Sequence, residues 1–420
     1  MARQRDGSRR PGFPKITRIE VSEKHFRLRA VLAIGFLVLG IVAIAYGLSS
    51  LLNKEAGWQA VEATPSGLSC ASDFQLQYDF SEDGSGATAA YRQISQLYTK
   101  AVEDGYRIFS ADLLEDGLHN VAYLNQHVNE TVTVEPALYQ ALQLAAAYDT
   151  RAIFLAPAYR EYERVFLAES EGEASRYDPT QNPDVMAYIQ EIAAFSNSEQ
   201  DISLEFYDNY QVRLQLSDAC LAFTEEYGIE GWLDFSWLKN AFLIDYLAQC
   251  LADNGFTNGY LASYDGFTRN LDSRGLSYSL NLFNRSGNSV DIPAVLQYDR
   301  PISIVFLRNY PLSDADQWHY YGFADGRIAT IFLDAADGVS KSSLDNLVSY
   351  SEGLGCAEVL LKMLPVFVSD SFEENGLAYL ARDGVYSVWF EGDTLCYNEP
   401  DGAIALREGE TVYTLECVSQ

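Results

Sequence analysis

The feature that most constrains this chain is a 23-residue stretch that contains no charged residue. Residues 30–52 read "AVLAIGFLVLGIVAIAYGLSSLL". As an α-helix this stretch would be about 35 Å long, enough to cross the hydrocarbon core of a bilayer. A cleaved signal peptide is the alternative, but its apolar region is normally only about 7–15 residues long and precedes a small-residue cleavage site. The sequence therefore predicts a single transmembrane helix over residues 30–52.

The charges on either side of this stretch predict its orientation. Residues 1–29 carry nine Lys or Arg and three acidic residues, whereas the whole chain has a formal net charge of −30. A basic arm can bind nucleic acid, but beside an apolar stretch it is better explained as the flank that stays in the cytoplasm. The acidic remainder also argues against nucleic acid or anionic lipid as a partner. We expect a single-pass protein of the cell membrane, with a basic cytoplasmic tail, a linker at residues 53–68 and an extracytoplasmic domain.

All six cysteines follow the apolar stretch. An oxidising compartment would allow disulfides there, and Cys396 and Cys417 are the first pair to test because both lie in strand-like sequence. The cysteines lack the close spacing of a zinc site, and the four histidines are scattered along the chain. The sequence does not predict a metal centre built on histidine or cysteine.

Hydrophobic periodicity after the linker predicts helices first and strands later. One helix is expected from Thr88, as its N-cap, to Gly105, as its stop, and a second begins near Pro136. A third is expected in "DVMAYIQEIAAFS". Two alternating segments then predict strands joined by a tight turn at Asn209–Tyr210, and further strands follow, interrupted by a helix in "CAEVLLKMLPVF". This order predicts an α+β fold with a mainly antiparallel sheet packed by helices.

Four short segments carry a distinctive pattern of aspartate and glycine: "LDFSWLKNAFLID", "GYLASYDGF", "IFLDAADG" and "GCAEVLLKML". In spacing and order they resemble the ApbE family of FAD:protein FMN transferases, the thiamine biosynthesis lipoprotein-like proteins. The resemblance covers about residues 69–372 and leaves residues 373–420 as a β-rich C-terminal extension. It implies an extracytoplasmic enzyme that uses FAD and magnesium to attach FMN to a threonine of a target protein.

The resemblance also implies site residues. Glu358 falls at a magnesium-ligand position, and the cofactor-binding positions are Asp234, Asp245, Asp265, Gly266, Asp334 and Gly338. Asp234 and Asp245 keep the family's separation of eleven positions, although Asp265 stands where the family has a glycine. Because the motif residues around Asp234 and Asp245 are substituted, we expect these two to serve mainly as helix caps or structural acceptors.

Several substitutions remove chemistry that the family needs. Ser236 replaces a glycine, Asn240 replaces a lysine that would bind phosphate, and Ile331 replaces a histidine that could carry a proton. The helix that supplies metal ligands has Glu358 and Lys362 in place of aspartate and threonine. A protonated lysine cannot bind magnesium and its charge repels the ion. These changes predict a catalytically degenerate member.

Three functional hypotheses remain open. The favoured one is a membrane-anchored, extracytoplasmic ApbE-like protein that acts as a flavin- or nucleotide-binding or scaffold module, with a protein partner at the outer face of the membrane. The second is an active magnesium-dependent flavin transferase, and the third is a pocket that takes another nucleotide or small ligand. Thr88 lies in "DGSGAT", which is similar to the acceptor sequence of these transferases. The same letters fit a polar loop before a helix, which is the interpretation we favour.

Overall fold

The computed structural model describes residues 56–65, 73–287, 289–409 and 411–418. The expected cytoplasmic tail and the transmembrane helix at residues 30–52 lie outside the described residues. Within the described part, no helix is both long enough and apolar enough to cross a bilayer. The described residues are those of the domain that follows the apolar stretch.

Ten α-helices lie in the described part of the chain, most of them before residue 260. They are α1 (Ala87–Ile108), α2 (Val121–Gln126), α3 (Pro136–Ala147), α4 (Ala156–Phe166), α5 (Glu171–Tyr177), α6 (Pro183–Asn197), α7 (Asp218–Tyr227), α8 (Lys239–Asp253), α9 (Cys356–Phe367) and α10 (Glu374–Arg382). The helices predicted at α1, α3, α6 and α9 are confirmed. The hydrophobic pattern did not predict α2, α4, α5, α7 or α10, and the six and seven residues of α2 and α5 are too few for a helical period to stand out.

The predicted ends of α1 are wrong at both termini. Its N-cap is Gly86, so Thr88 lies in the first turn of the helix, where it is half-buried. Gly105 does not stop the helix, which continues to Ile108. A Cβ atom at Gly105 would come within 2.9 Å of Leu243 Cδ2 on α8. Gly105 therefore allows α1 and α8 to pack closely. The local sequence, in which a glycine suggests the end of a helix, does not indicate this role.

Seventeen strands lie in the described residues. They are β1 (Trp58–Val61), β2 (Phe74–Asp79), β3 (Val132–Thr133), β4 (Ile202–Tyr207), β5 (Gln211–Leu216), β6 (Gly259–Ser263), β7 (Phe267–Asn270), β8 (Tyr278–Ser286), β9 (Ser289–Tyr298), β10 (Ile302–Arg308), β11 (Tyr320–Gly322), β12 (Ile328–Thr330), β13 (Asn346–Ser351), β14 (Tyr386–Glu391), β15 (Thr394–Tyr397), β16 (Ala403–Leu406) and β17 (Thr414–Cys417). The predicted turn between β4 and β5 is present, with φ of 60° at Asn209 and 58° at Tyr210.

The largest sheet has nine strands in the order β1-β2-β6-β7-β10-β13-β14-β15-β17. All neighbours in it are antiparallel except β15 and β17, which are parallel. Smaller sheets contain β16-β9-β8, β3-β5-β4 and β11-β12. The predicted α+β class with a mainly antiparallel sheet is confirmed.

The middle of the nine-stranded sheet is buried on both faces. Every residue of β10 is buried, as expected for a strand whose apolar residues do not alternate with polar ones. Val305 and Leu307 pack with the helices α1, α8 and α9 in the main core. Ile304 and Phe306, on the opposite face, pack with β8 and β9 in a second cluster. The core therefore has helices on one side of the sheet and a small antiparallel sheet on the other.

Both ends of the described chain join the nine-stranded sheet. β1 lies within residues 53–68, the segment expected to be a linker, and it pairs with β2 at one edge. From the C-terminal extension, β14 pairs with β13, and β15 and β17 continue the sheet to its other edge. Part of the expected linker and three strands of the extension thus belong to the same sheet, whereas β16 of the extension pairs with β9 in a smaller sheet and Glu374–Arg382 form α10.

Cys396 and Cys417, the first pair to test for a disulfide, are not bonded to each other in the structure. In the parallel pairing of β15 with β17, Cys396 lies opposite Glu416 and Cys417 lies opposite Tyr397. Since successive side chains of a strand point to opposite faces, the two sulfur atoms lie on different faces of the sheet. Neither thiol is bonded to another cysteine of the described residues; Cys396 lies in the interior and Cys417 at the surface.

Candidate functional site

A cleft of about 510 Å³ opens beside the start of α8. Its walls come from the residue before β2, from α4, from the segment that leads into α8, from the turn after β6 and from the segment before β11. Six carboxylates line it: Asp73, Asp112, Glu163, Asp234, Asp265 and Asp316. The cleft is therefore strongly acidic, and two of the predicted site residues, Asp234 and Asp265, meet in it.

Asp234 organises the turn that leads into α8. Its Oδ1 accepts a hydrogen bond from the backbone N–H of Ser236 at 2.9 Å, and its own N–H donates to Ile153 O at 2.9 Å. Ser236 has φ of 46°, in the left-handed region that glycine adopts without strain. The turn therefore keeps the backbone conformation of a glycine at the position where the sequence has serine.

Replacing Ser236 with glycine is expected to stabilise the protein by about 0.5–1 kcal/mol. A side chain costs about that much in a left-handed conformation, and the backbone N–H that binds Asp234 is retained. Chemical denaturation of the full-length protein checks this. Ser236→Ala keeps a Cβ atom and should give no gain, and an equal gain for both variants would contradict the explanation.

Two residues that the sequence analysis passed over lie in the cleft next to lost motif positions. Lys239 precedes Asn240 and lines the cleft, with Nζ 5.2 Å from the centre of the Tyr106 ring. His319 lines it beside Ile331, whose N–H donates to His319 O at 3.1 Å. In the sequence, the one feature that pointed to Lys239 is that it is a basic residue one position before Asn240, where the family has its lysine. The sequence held no signal for His319, because the pairing of β11 with β12 brings it there.

Asp265 and Asn240 form a polar contact at the inner end of the cleft. Asn240 Nδ2 donates to Asp265 Oδ2 at 2.9 Å. The amide oxygen of Asn240 and the second carboxylate oxygen of Asp265, both Oδ1, are shielded from solvent and have no hydrogen-bond partner in the described part of the protein. A recess lined by Asp265, His319 and Arg308 adjoins the cleft at this point. The site therefore contains two buried acceptor atoms to which no described residue donates a hydrogen bond.

Burial raises the pKa of four carboxyl groups of the cleft above their ordinary values. Desolvation is the largest cause at Asp73, Glu163, Asp234 and Asp265. The charge of Lys239 acts in the opposite direction at Asp73 and Asp234, and that of His319 does so at Asp265. The charged forms of these groups are thus poorly compensated by the protein itself.

The expected metal ligand lies outside the cleft. Glu358 Oε1 accepts a hydrogen bond from the Tyr148 hydroxyl at 2.5 Å. One turn further along α9, Lys362 Nζ donates to Asp383 Oδ2 at 2.7 Å and lies 5.2 Å from the centre of the Tyr148 ring. Nowhere in the described residues do three His, Cys, Asp or Glu side chains form a group that could hold a metal ion. The residues at this position do not fit magnesium.

Asp245 caps a helix other than its own. Its Oδ1 accepts from Cys356 N and its Oδ2 accepts from Ala357 N, both at 2.9 Å, at the start of α9. Arg269 Nε lies 3.9 Å from Oδ1. The carboxylate is therefore engaged in joining α8 to α9 and does not line the cleft.

Asp334 and Gly338 form a turn that is held by ion pairs to Lys341. Lys341 Nζ lies 3.0 Å from Asp334 Oδ2, 2.8 Å from Asp337 Oδ2 and 2.9 Å from Asp370 Oδ1. Gly338 has φ of 72°, and a Cβ atom there would lie 2.5 Å from Ile189 Cγ2. Neither Asp334 nor Gly338 lines the cleft, so the structure brings together only part of the predicted site.

Comparisons with known proteins identify the fold. No family model and no curated protein matches the sequence. Among solved structures, the chain is similar to the ApbE protein of Thermotoga maritima, with 13% identity and a TM-score of 0.54 over 84% of this chain and 97% of that one. It is also similar to the flavin transferase ApbE of Vibrio cholerae, with 11% identity and a TM-score of 0.51 over 85% and 98%. The predicted ApbE-like fold is confirmed.

Proposed function

We propose that this protein is a membrane-anchored, extracytoplasmic binding module that keeps the ApbE-like fold without flavin transfer. The observation that carries the proposal is the internal pairing of the metal-site residues: Glu358 is bound by Tyr148, and Lys362 by Asp383. Magnesium needs several free oxygen ligands in near-octahedral geometry, and these contacts leave no such set. The membrane anchor rests on the apolar stretch at residues 30–52 and its basic flank.

The cleft also fits the diphosphate of FAD poorly. Among the described side chains that line it, Lys239 is the one Lys or Arg, against six carboxylates. Without a bound cation, two phosphate charges would be repelled by these carboxylates. The unpartnered atoms, Asn240 Oδ1 and Asp265 Oδ1, are acceptors, and a phosphate oxygen cannot donate to them. We therefore propose a ligand other than a flavin nucleotide.

An active flavin transferase is the second candidate. It is favoured by Lys239 and His319. They place a cation and an imidazole in the cleft beside Asn240 and Ile331, the positions where the family has lysine and histidine. The solved structures of this fold include a protein described as a flavin transferase. Flavin transfer is therefore the first reaction to test.

The test incubates the full-length protein with FAD, magnesium chloride and a threonine-bearing acceptor peptide, and measures peptide mass. We expect no addition of FMN and no thermal shift with FAD or with a panel of other nucleotides. An active transferase serves as the positive control, and the same peptide with alanine for threonine as the negative one. Transfer that depends on both magnesium and the threonine would overturn the proposal.

Thr88 remains a separate question, since a transferase elsewhere in the cell could act on it. We expect it to stay unmodified because it is half-buried in the first turn of α1. Mass mapping of the peptide that contains Thr88, after expression with an active transferase, checks this. A peptide heavier by one FMN group would make the protein a flavin carrier.

A further inference from the structure

Four carboxylates of the cleft have no ion pair with any residue that the structure describes. In the described part of the chain, Asp112 pairs with Arg160 at 3.3 Å and Asp316 pairs with Arg308 at 2.7 Å. The carboxylates without such a pair are Asp73, Glu163, Asp234 and Asp265. They come from four separate segments that the fold brings to one cavity, whose one lysine cannot balance them.

The unpartnered acceptors are an independent indication of what binds. Asn240 Oδ1 and Asp265 Oδ1 are shielded from solvent, and each lacks a donor in the described structure. A buried acceptor without a donor costs about 1–3 kcal/mol, which a ligand recovers if it supplies an N–H group. The contact that Asn240 donates to Asp265 uses only the other two polar atoms of the pair. These atoms favour a ligand that donates hydrogen bonds, and the unpaired carboxylates favour one that carries positive charge.

The spread of the carboxylates favours an organic cation over a metal ion. No three acidic or histidine side chains in the described residues converge as a metal requires. The mouth of the cleft instead exposes apolar surface: the residues exposed there are Leu167 by 55%, Tyr264 by 60% and Trp318 by 56%. Aromatic faces attract organic cations, and exposed apolar side chains pack against alkyl chains.

We propose that the cleft binds an organic polycation, in which ammonium groups are joined by alkyl segments. The cleft's volume of about 510 Å³ lies within the range of small-molecule sites. One ammonium group would donate to Asp265 Oδ1 and Asn240 Oδ1 at the inner end. The others would meet Asp73, Asp234 or Glu163, while the linking methylene groups contact Tyr264 and Trp318. This inference rests on the proposed function, since it assumes a cleft free of flavin.

The test titrates the full-length protein with spermidine by calorimetry. Triethylene glycol, a neutral chain of similar length, and magnesium chloride are the control ligands. We expect saturable binding of spermidine and none of either control. The double variant Asp234→Asn and Asp265→Asn should weaken binding about tenfold or more, because two charge-assisted contacts are lost. Glu225→Gln with Glu226→Gln, which removes the same charge from the exposed face of α7, should change binding less than about twofold.

A variant that is expected to bind more tightly separates a true loss of binding from misfolding. Lys239→Met removes the positive charge that competes with the ligand, so spermidine should bind about threefold more tightly, a result that damage to the fold cannot produce. Absence of spermidine binding, or equal loss in both double variants, would overturn the inference. Either result leaves the proposed lack of flavin transfer intact, because FMN transfer to the acceptor peptide is measured separately.

Discussion

Replacing Asp245 with alanine is expected to destabilise the protein by about 2–4 kcal/mol. The two oxygens of Asp245 accept from the first two N–H groups of α9, and alanine would leave both N–H groups without this side-chain partner. A Cβ atom on Gly355 would lie 2.3 Å from Asp245 Oδ2, so the start of α9 packs closely against this carboxylate. Arg269 would also lose a nearby negative charge.

Chemical denaturation of the full-length protein measures this effect. Asp253→Ala is the matched control, because Asp253 is an exposed carboxylate at the end of the same helix, where its Oδ1 accepts a hydrogen bond from Gln249 Nε2 at 2.6 Å. We expect that control to change the free energy of unfolding by less than about 0.5 kcal/mol. Asp245→Asn keeps one oxygen and should give an intermediate loss. If Asp245→Ala is as stable as Asp253→Ala, the link between α8 and α9 is not what this residue supplies.

Replacing Gly266 with alanine is expected to cost about 3–5 kcal/mol. Gly266 has φ of 113°, which residues with a side chain rarely adopt, and a Cβ atom there would lie 2.2 Å from Phe306 O. That oxygen belongs to β10, and the N–H of the same residue donates to Gly266 O at 2.8 Å, so the strand cannot move away without losing the bond. The displaced turn would carry Asp265 with it, and the cleft should lose its inner acceptor.

The thermal unfolding temperature and the spermidine affinity of Gly266→Ala can be measured together. Gly384→Ala is the control: Gly384 has φ of 75°, but nothing lies within 4 Å of the Cβ position. Its cost should be only about 1 kcal/mol, that of a left-handed conformation alone. Similar losses for the two variants would mean that the close approach to β10 has little weight.

Asp234 and Asp245 lie in different surroundings in the structure, which shows what the motif spacing could and could not predict. Asp234 and Asp245 were assigned together because they are eleven positions apart, and both accept backbone N–H groups. Only Asp234 lines the cleft, whereas Asp245 lies within α8 and caps the start of α9. A spacing along the chain defines a pair of positions on a turn and a helix. It does not define which neighbouring element each side chain meets.

The sequence by itself determined the fold class and the ApbE-like architecture, because hydrophobic period, turn residues and the order of elements are local properties that survive at 13% identity. It also determined that residues 30–52 form an uncharged apolar stretch. Only the tertiary structure decided that Lys239 and His319 share a cleft with Asp73, Asp234 and Asp265, and that Glu358 is bound by Tyr148. These contacts join residues that are far apart in the chain. Strand register and helix packing determine such contacts, and a short segment of sequence does not contain that information.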